Sequence, residues 1–479
     1  MRRKKLAIIG NGMAGSRLLE EIVRGEARDR YEVTVFGEEK GGAYDRVLLS
    51  RVLAGAAPDE IVTKPPSWYR QCGARLVDDT TVARIDAGRK SLEAADGRAF
   101  AYDLAVVATG SRPMVPPIEG MTTAEGDLRD GVFVYRTMDD CLRMRAHAHA
   151  GDCAVVLGAG LLGLEAAKVL GDLGLHVTVV HVGQTVLNAQ LDPLGGEMLR
   201  RQIEQLGIFV RTGRTVEAIL GDAAVEGVVL DDGKALAADM VVLACGVRPR
   251  VDLALASGLP VNRGILVNDA LATEVPGVYA LGECAEHAGK TYGIVSPAWE
   301  QAAVLANVLG GAGPHARYRG SNLYVRLKVA GVDVASMGLL EPERETDEVI
   351  QVIEERRSAY RKLIVRDGKL AGAMLVGDTS AAASLAQTFD RGDPLPDNPL
   401  EALCPGPPTS AARAGDRTVC QCHKVSDASI RRAVSCGART VDDVGVATRA
   451  GTGCGSCRSE IARIVLVEER PAVASAQVG

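Results

Sequence analysis

Two stretches of the chain share one pattern of apolar and polar positions. Leu6-Ala7-Ile8-Ile9 is an unbroken apolar run that stops at Gly10, and Cys153-Ala154-Val155-Val156-Leu157 is another that stops at Gly158. Each leads into apolar residues at helical spacing and then into a second apolar run. Residues 5–9, 12–24 and 31–36 predict strand, helix and strand, and 153–157, 160–173 and 176–181 predict the same set again. Continuous apolar runs, rather than alternating ones, fit strands buried on both faces of a parallel sheet. Residues 103–108, 239–244 and 277–281 predict further buried strands, ending at Ala108-Thr109-Gly110, Ala244-Cys245-Gly246 and Gly282-Glu283. A helix is expected to follow, with Ser296 as N-cap and Pro297 at its first position. After about residue 316 the pattern turns to alternation, as in Tyr324-Val325-Arg326-Leu327-Lys328-Val329 and Lys362-Leu363-Ile364-Val365, which predicts a smaller α+β domain. Residues 393–417 carry Pro394, Pro396, Pro399, Pro405, Pro407 and Pro408 and read as a linker. A terminal module of roughly fifty residues follows it.

Composition narrows the picture. The chain has 479 residues, room for about three domains, and 47% of them are apolar. The net charge of −6 and the lack of a long basic run argue against nucleic acid and against an anionic membrane surface. Met1-Arg2-Arg3-Lys4-Lys5 before an apolar run resembles the start of a signal peptide, but the run breaks at Gly10-Asn11-Gly12 and reads as a first strand. No window approaches the ~18 apolar residues of a membrane span, so a soluble, cytoplasmic protein is expected. Eleven cysteines in such a chain point to metal ligands or buried fillers rather than disulfides.

The glycine turns carry the first chemistry. Gly10-Asn11-Gly12-Met13-Ala14-Gly15 lies between a predicted strand and helix, where glycines let the backbone approach a pyrophosphate and the helix N-terminus supplies oriented N–H groups. Glu38-Glu39 follows the second strand, and Glu38 is the favoured acceptor for a ribose. Gly282-Glu283 reads as the second half of a flavin site, with Glu283 toward the ribityl hydroxyls. Gly158-Ala159-Gly160-Leu161-Leu162-Gly163, with Glu165 just inside the helix, is the cleaner fingerprint; it stands 148 residues after the first, a spacing that suits two separate nucleotide folds. Two such sites imply one resident and one visiting dinucleotide, FAD with NADH or NADPH. The second strand ends in His181-Val182, with neither the acid that favours NADH nor a basic pair that favours NADPH; the missing basic pair tips the expectation toward NADH.

The second chemistry is in the tail. Cys420-Gln421-Cys422 and Cys454-Gly455-Ser456-Cys457 are separated by 31 residues. Four thiolates from two loops can hold a [2Fe–2S] cluster or a zinc ion; downstream of a flavin the cluster is favoured, because zinc carries no electrons. Gly451, Gly453 and Gly455 allow tight turns whose N–H groups face sulfur, and Ser426 and Thr440 predict N-caps of two intervening helices. Lys424, Arg431, Arg432, Arg449 and Arg458 make the module basic, either a solvated face or a match for cluster charge or an acidic partner. Cys284, beside Glu283, reads as a buried filler. No cysteine pair follows the first fingerprint, so electrons are expected to leave through the cluster.

The run Ile9–Gly15, with Val35-Phe36-Gly37-Glu38-Glu39, Tyr44-Asp45-Arg46 and Gly282-Glu283-Cys284-Ala285-Glu286, resembles the flavoprotein part of NADH-dependent assimilatory nitrite reductase large subunits and of assimilatory nitrate reductase electron-transfer subunits, in the pyridine nucleotide-disulfide oxidoreductase superfamily. Val419–Cys422 and Ala450–Cys457 resemble the bacterioferritin-associated-ferredoxin (BFD) type of [2Fe–2S] module in the same proteins. The resemblance implies an α/β protein with two Rossmann-like dinucleotide-binding domains, a small α+β domain and a small helical [2Fe–2S] module. The expected division is an FAD domain in 1–115 and 270–315, an NAD(P) domain in 116–269, the small domain in 316–392, the linker in 393–417 and the BFD-like module in 418–470. It further implies that Arg46 and Glu283 contact FAD, with Ala108, Thr109 and Gly110 lining that site and Gly246 among the cofactor-binding glycines. Arg51 stands where related ferredoxin reductases often carry a lysine near the flavin. The expected activity is NAD(P)H oxidation with electrons leaving one at a time to a separate terminal nitrate or nitrite reductase, with no side chain acting as acid or base and a homodimer as one assembly. Full nitrite reductase large subunits continue into a sirohaem domain, and the sequence ends after the small module, so nitrite reduction by this chain itself is not expected. Two rival readings are a ferredoxin-type reductase serving a monooxygenase and a cluster-carrying docking protein on a flavin-fold scaffold.

Overall fold

The computed structural model describes residues 2–25, 27–311, 316–329, 331–403, 418–420, 423–452 and 457–469. These divide into two units, one formed by residues 1–115, 136–143 and 246–321, the other by 116–135, 144–245 and 322–479.

In the first unit, Lys4–Ile9 is the central strand of a five-stranded parallel sheet ordered Val278–Ala280, Leu104–Val107, Lys4–Ile9, Tyr31–Phe36, Arg75–Val77. Side chains along a strand point alternately to opposite faces. Leu6 and Ile8 enter one core, Ala7 and Ile9 the other, and none of the four is more than 4% exposed. Burial on both faces is why the strand reads as an unbroken apolar run. Helices Met13–Arg24 and Val295–Gly310 cover one face through Leu18, Leu19, Ile22, Leu305 and Leu309. Each such side chain contributes about 1.5–3 kcal/mol when fully buried. The antiparallel strands Val82–Asp86, Ser91–Ala94 and Ala99–Ala101 and the helix Asp252–Ala256 cover the other face.

Two expectations change here. The helix after Gly282-Glu283 starts at Val295, following extended Ile294, and has no side-chain cap. Ser296 and Pro297 therefore lie inside its first turn, where the N–H that proline lacks has no intrahelical acceptor to lose. Residues 246–269, expected with the second fold, sit in the first unit: Val247–Pro249 pairs with Ser111–Pro113, and Leu253, Ala254, Leu259 and Ile265 fill the second core. Burial of these four apolar side chains decides the placement.

The second unit repeats the architecture. Its parallel sheet is ordered Val132–Val134, Met240–Leu243, Cys153–Leu157, His176–His181, Phe209–Thr212. The antiparallel strands Val216–Leu220, Gly227–Leu230 and Ala235–Ala237 pack on one face through Ile219, Val228 and Leu230. Then comes a five-stranded antiparallel sheet ordered Tyr324–Val329, Val332–Gly338, Lys369–Val376, Ala359–Arg366, Glu348–Glu354, with helix Ala382–Arg391 packed through Leu385 and Ala386. A buried polar knot ties this sheet to the helix Pro193–Glu204. Asp192 caps that helix by accepting from the Gly195 N–H at 2.8 Å, and it also accepts from the Tyr360 hydroxyl at 2.6 Å and from Lys362 Nζ at 2.9 Å. Lys362 spends its other donors on the Leu340 carbonyl and Glu341.

Of the linker, residues 393–403 are laid on the antiparallel sheet: Leu395 N–H donates to the Gly368 carbonyl, and Leu403 is fully buried with its carbonyl accepting from Arg361. The rest of the linker lies outside the described residues. The terminal module is a hairpin, Thr418–Cys420 with Val425–Ser426, and helices Asp427–Ser435, Val441–Thr448 and Arg458–Glu469 around Ile430, Val434, Val444, Ile461 and Ile464. Ser426 and Thr440 cap the first two helices by accepting from the N–H groups of Ser429 and Asp443. Among the described residues no helix is long and apolar enough to cross a membrane.

Candidate functional site

The two glycine turns are built alike. Gly10 (φ +118°) and Gly158 (φ +114°) adopt a backbone that side chains avoid, and a Cβ on them would stand 2.1 Å from the Ala108 carbonyl oxygen and 2.3 Å from that of Ala244. Gly15 and Gly163 face back onto Gly10 and Gly158 so closely that a Cβ would stand 2.0 Å and 1.9 Å from their carbonyl oxygens. Gly12 and Gly160 differ. Each is the N-cap of its helix, each lacks a side-chain cap bond, and nothing lies within 4 Å of where a Cβ would be. Open space before uncapped N–H groups at the positive end of a helix is a cradle for a pyrophosphate.

Around the first cradle the expected residues take distinct places. Gly282 packs on Ala14, and its N–H donates to the buried Gln301 side chain at 2.7 Å. Ala108 N–H donates to the Ile9 carbonyl, the Thr109 hydroxyl to the Arg250 carbonyl, and Arg250 N–H to the Gly110 carbonyl. Gly246 belongs to this unit, where its carbonyl accepts from Met114 N–H. The two adjacent acids separate. Glu39 is engaged by Arg46 and by the Tyr44 hydroxyl at 2.6 Å, and Arg46 also donates to the Arg136 carbonyl at 2.9 Å. Burial pushes the Tyr44 phenol well above its ordinary value. Glu38 is half exposed; its partner is Arg250, whose hydrogen bond holds its carboxyl below the usual range. Of the two acids, Glu38 is the more exposed. Glu283 accepts from Arg136 and from the Ser111 hydroxyl, each at 2.5 Å. Arg136, Ser111, Arg250 and Gln301 escaped sequence reasoning, since Arg136 and Glu283 are 147 positions apart and Glu38 and Arg250 are 212 apart. Arg51 pairs with Glu60 at 2.9 Å on the surface. Cys284 is a buried filler whose thiol faces the Val107 and Leu281 carbonyls and is pushed up by burial.

At the second cradle, Glu165 lies one turn into the helix Leu161–Asp172, and burial raises its carboxyl to about 7. His181 ends the strand next to Gly158, whose N–H bonds to the Val180 carbonyl. Its Nε2 is buried without a hydrogen-bond partner, and burial lowers its pKa against an opposing hydrogen bond that the ring donates to Asn188.

In the terminal module Cys420 and Cys457 are both buried in one core and neither forms a disulfide. Cys422 and Cys454 lie outside the described residues. The module's basic residues are largely matched by acids: Lys424 pairs with Asp390, Arg431 with Asp427 and Glu468, Arg458 with Asp442. His423 Nε2 stands 3.2 Å from the Thr452 hydroxyl, which brings the two cysteine-bearing segments together.

The residues present fit the expected groups. The bare turn at Gly12 with Glu38 and Glu283 suits FAD; the bare turn at Gly160 with the unused nitrogen of His181 suits a nicotinamide dinucleotide; soft thiol donors suit iron and sulfide. Comparison with known proteins agrees. Residues 4–303 match the pyridine nucleotide-disulphide oxidoreductase family, residues 324–392 the rubredoxin NAD+ reductase C-terminal domain, and residues 418–466 the BFD-like [2Fe-2S] binding domain. The nitrite reductase [NAD(P)H] of Bacillus subtilis is 37% identical over 97% of this chain and 58% of its own length; the assimilatory nitrate reductase electron transfer subunit of the same organism is 36% identical over 96% and 59%. The chain thus spans about three-fifths of these two relatives. An NADH oxidase of Methanocaldococcus jannaschii is 32% identical over 78% of this chain and 88% of its own. Among solved structures, a ferredoxin reductase of Rhodopseudomonas palustris superimposes with a TM-score of 0.70 at 26% identity, covering 78% of this chain and 91% of that one. The cofactor set is therefore FAD, NAD(P)H and a [2Fe–2S] cluster. The chain belongs to the pyridine nucleotide-disulphide oxidoreductase family, extended at its C-terminal end by a BFD-like [2Fe-2S] binding domain.

Proposed function

We propose that the protein is a cytoplasmic electron-transfer flavoprotein that oxidises NAD(P)H and delivers electrons to a separate assimilatory nitrate reductase, or else to a nitrite reductase. The observation that carries this reading is the presence of two dinucleotide cradles and a thiol module on one chain, which is 36% identical over 96% of its length to the nitrate reductase electron transfer subunit. FAD takes up electrons in pairs from a reduced nicotinamide and a [2Fe–2S] cluster passes them on singly. The chain's own residues bind and orient. The N–H groups after Gly12 and Gly160 would hold pyrophosphates, Glu38 would accept from a ribose, and Glu283, fixed by Arg136 and Ser111, would accept from the ribityl hydroxyls. Cys420, Cys422, Cys454 and Cys457 supply the thiolates. No side chain need move a proton.

A second reading, a reductase serving another acceptor, is supported by 32% identity over 58% of this chain to a biphenyl dioxygenase system ferredoxin–NAD(+) reductase component of Paraburkholderia xenovorans. Mixing the purified protein and NADH with a nitrate reductase, a nitrite reductase or a monooxygenase ferredoxin separates the two. NADH consumption that depends on nitrate reductase and nitrate is the expected result; consumption with the ferredoxin alone would replace the first reading by the second.

A further inference from the structure

We propose that His181 reads the 2′ position of the coenzyme's adenosine ribose and, in surroundings free of a competing acid, admits both NADH and NADPH, NADPH gaining as the solution is acidified. The inference rests on the second fold being the nicotinamide site.

His181 stands one residue beyond the strand position that bonds Gly158. In a βαβ dinucleotide fold the end of this strand, within a residue or two, is where an acid takes the ribose hydroxyls or a base meets a 2′-phosphate. Here the next ten residues, 182–191, hold no charged side chain at all. They fold back over the glycine turn, with Leu187 N–H donating to the Ala159 carbonyl at 3.0 Å. The imidazole lies against this loop. A Cβ on Gly183 would stand 2.5 Å from His181 Nε2 and 3.0 Å from Asn188 Nδ2. Nε2 is buried with no hydrogen-bond partner, a rare state for a buried polar atom. Turning the ring toward a ribose gives up the hydrogen bond with Asn188 and supplies a partner to Nε2. A neutral imidazole can donate to or accept from a hydroxyl, and an imidazolium donates from both nitrogens, which suits a phosphate.

Burial keeps the ring neutral below its ordinary range, so the 2′-hydroxyl form meets a neutral partner near neutral pH. A 2′-phosphate draws a proton onto the ring, so NADPH binding takes up a proton and strengthens as pH falls. The neighbouring charges are accounted for. Arg214, whose N–H bonds the His181 carbonyl, is opposed by Asp231 and Asp232; Arg211 lies on the adjacent strand, paired with Val180; Asp192 is committed to Lys362 and Tyr360. Glu165, raised to about 7 by burial, would meet either coenzyme through the part the two share, so it cancels in their ratio.

The test is equilibrium binding of NAD+ and NADP+ to the FAD-loaded protein, which avoids turnover. For the wild type the two affinities are expected within about tenfold of each other. His181→Glu shifts the ratio toward NAD+ and His181→Arg toward NADP+, each by at least about tenfold. His181→Gln keeps NAD+ binding within about threefold, because an amide still bonds a hydroxyl. From about pH 8 to about pH 6 the NADP+ to NAD+ ratio rises more in the wild type than in His181→Gln, which carries only the titration of the phosphate itself. Unchanged ratios in the Glu and Arg variants, with bound flavin intact, would overturn the role of His181 alone. Binding of neither coenzyme by the wild type would overturn the nicotinamide site with it.

Discussion

Glu165 is a carboxyl whose pKa, raised to about 7 by burial, changes how the second fold responds to pH. Its unfolded value is about 4.3, so in the coenzyme-free protein the folded state keeps a proton that the unfolded chain has lost. Stability is then full below about pH 4, falls as pH rises toward about 7, and levels off above it. Glu165→Gln removes that dependence. Its melting midpoint should exceed the wild type's at about pH 8 by an amount equivalent to about 1–3 kcal/mol, with little gain at about pH 4. Equal midpoints at both pH values would mean that Glu165 ionises freely. Glu38, the proposed ribose acceptor, makes the opposite case: the hydrogen bond from Arg250 holds its carboxyl below the usual range and so favours the ionised form. Hydrogen bonds to charged groups are worth about 1.5–3 kcal/mol, so Glu38→Gln should weaken FAD binding by about 10- to 100-fold, read from flavin released on dilution.

At the scale of elements, the buried knot of Asp192, Tyr360 and Lys362 decides how the antiparallel sheet meets the helix Pro193–Glu204. The Asp192 and Lys362 side chains are each 3% exposed, so removing one partner strands a charge away from water. Asp192→Asn should cost about 3–5 kcal/mol, a fall of about 5–10 °C in the melting midpoint, whereas the joint change Asp192→Asn with Lys362→Met should recover much of it. A single variant as stable as the wild type would show that Glu341 alone suffices for Lys362. This knot also marks where sequence reasoning stops. Both βαβ units were legible because glycine turns and doubly buried strands leave their mark within forty residues, and the caps at Ser426 and Thr440 because a cap is a local device. The pairs Asp192–Lys362, Arg136–Glu283 and Glu38–Arg250 join residues 170, 147 and 212 positions apart, and nothing near either partner signals the other. The Ser296 cap was misplaced by two residues because proline, though favoured at the first position, is also tolerated later in the first turn, where the N–H it lacks has no intrahelical acceptor.

For the whole molecule, the terminal module has its own core, and Cys420 and Cys457 are part of it, while the dinucleotide cradles are built from other cores. A thiolate lost from the module should therefore loosen only the module, since cooperative units open separately when they share few buried contacts. Cys457→Ser is expected to purify with flavin but with reduced iron. It should still oxidise NADH with a two-electron dye at a rate within about threefold of wild type, because that exchange needs only the two dinucleotide folds. Reduction of the proposed nitrate or nitrite reductase should fall by at least about 100-fold, because in the proposed order electrons leave through the cluster. Loss of both activities with flavin and fold intact would place the thiol module before the flavin rather than after it. Full transfer to the partner without iron would take the module off the route altogether, and zinc in place of iron in protein isolated without oxygen would leave Cys420 and Cys457 as structural ligands in a chain whose electrons leave from the flavin.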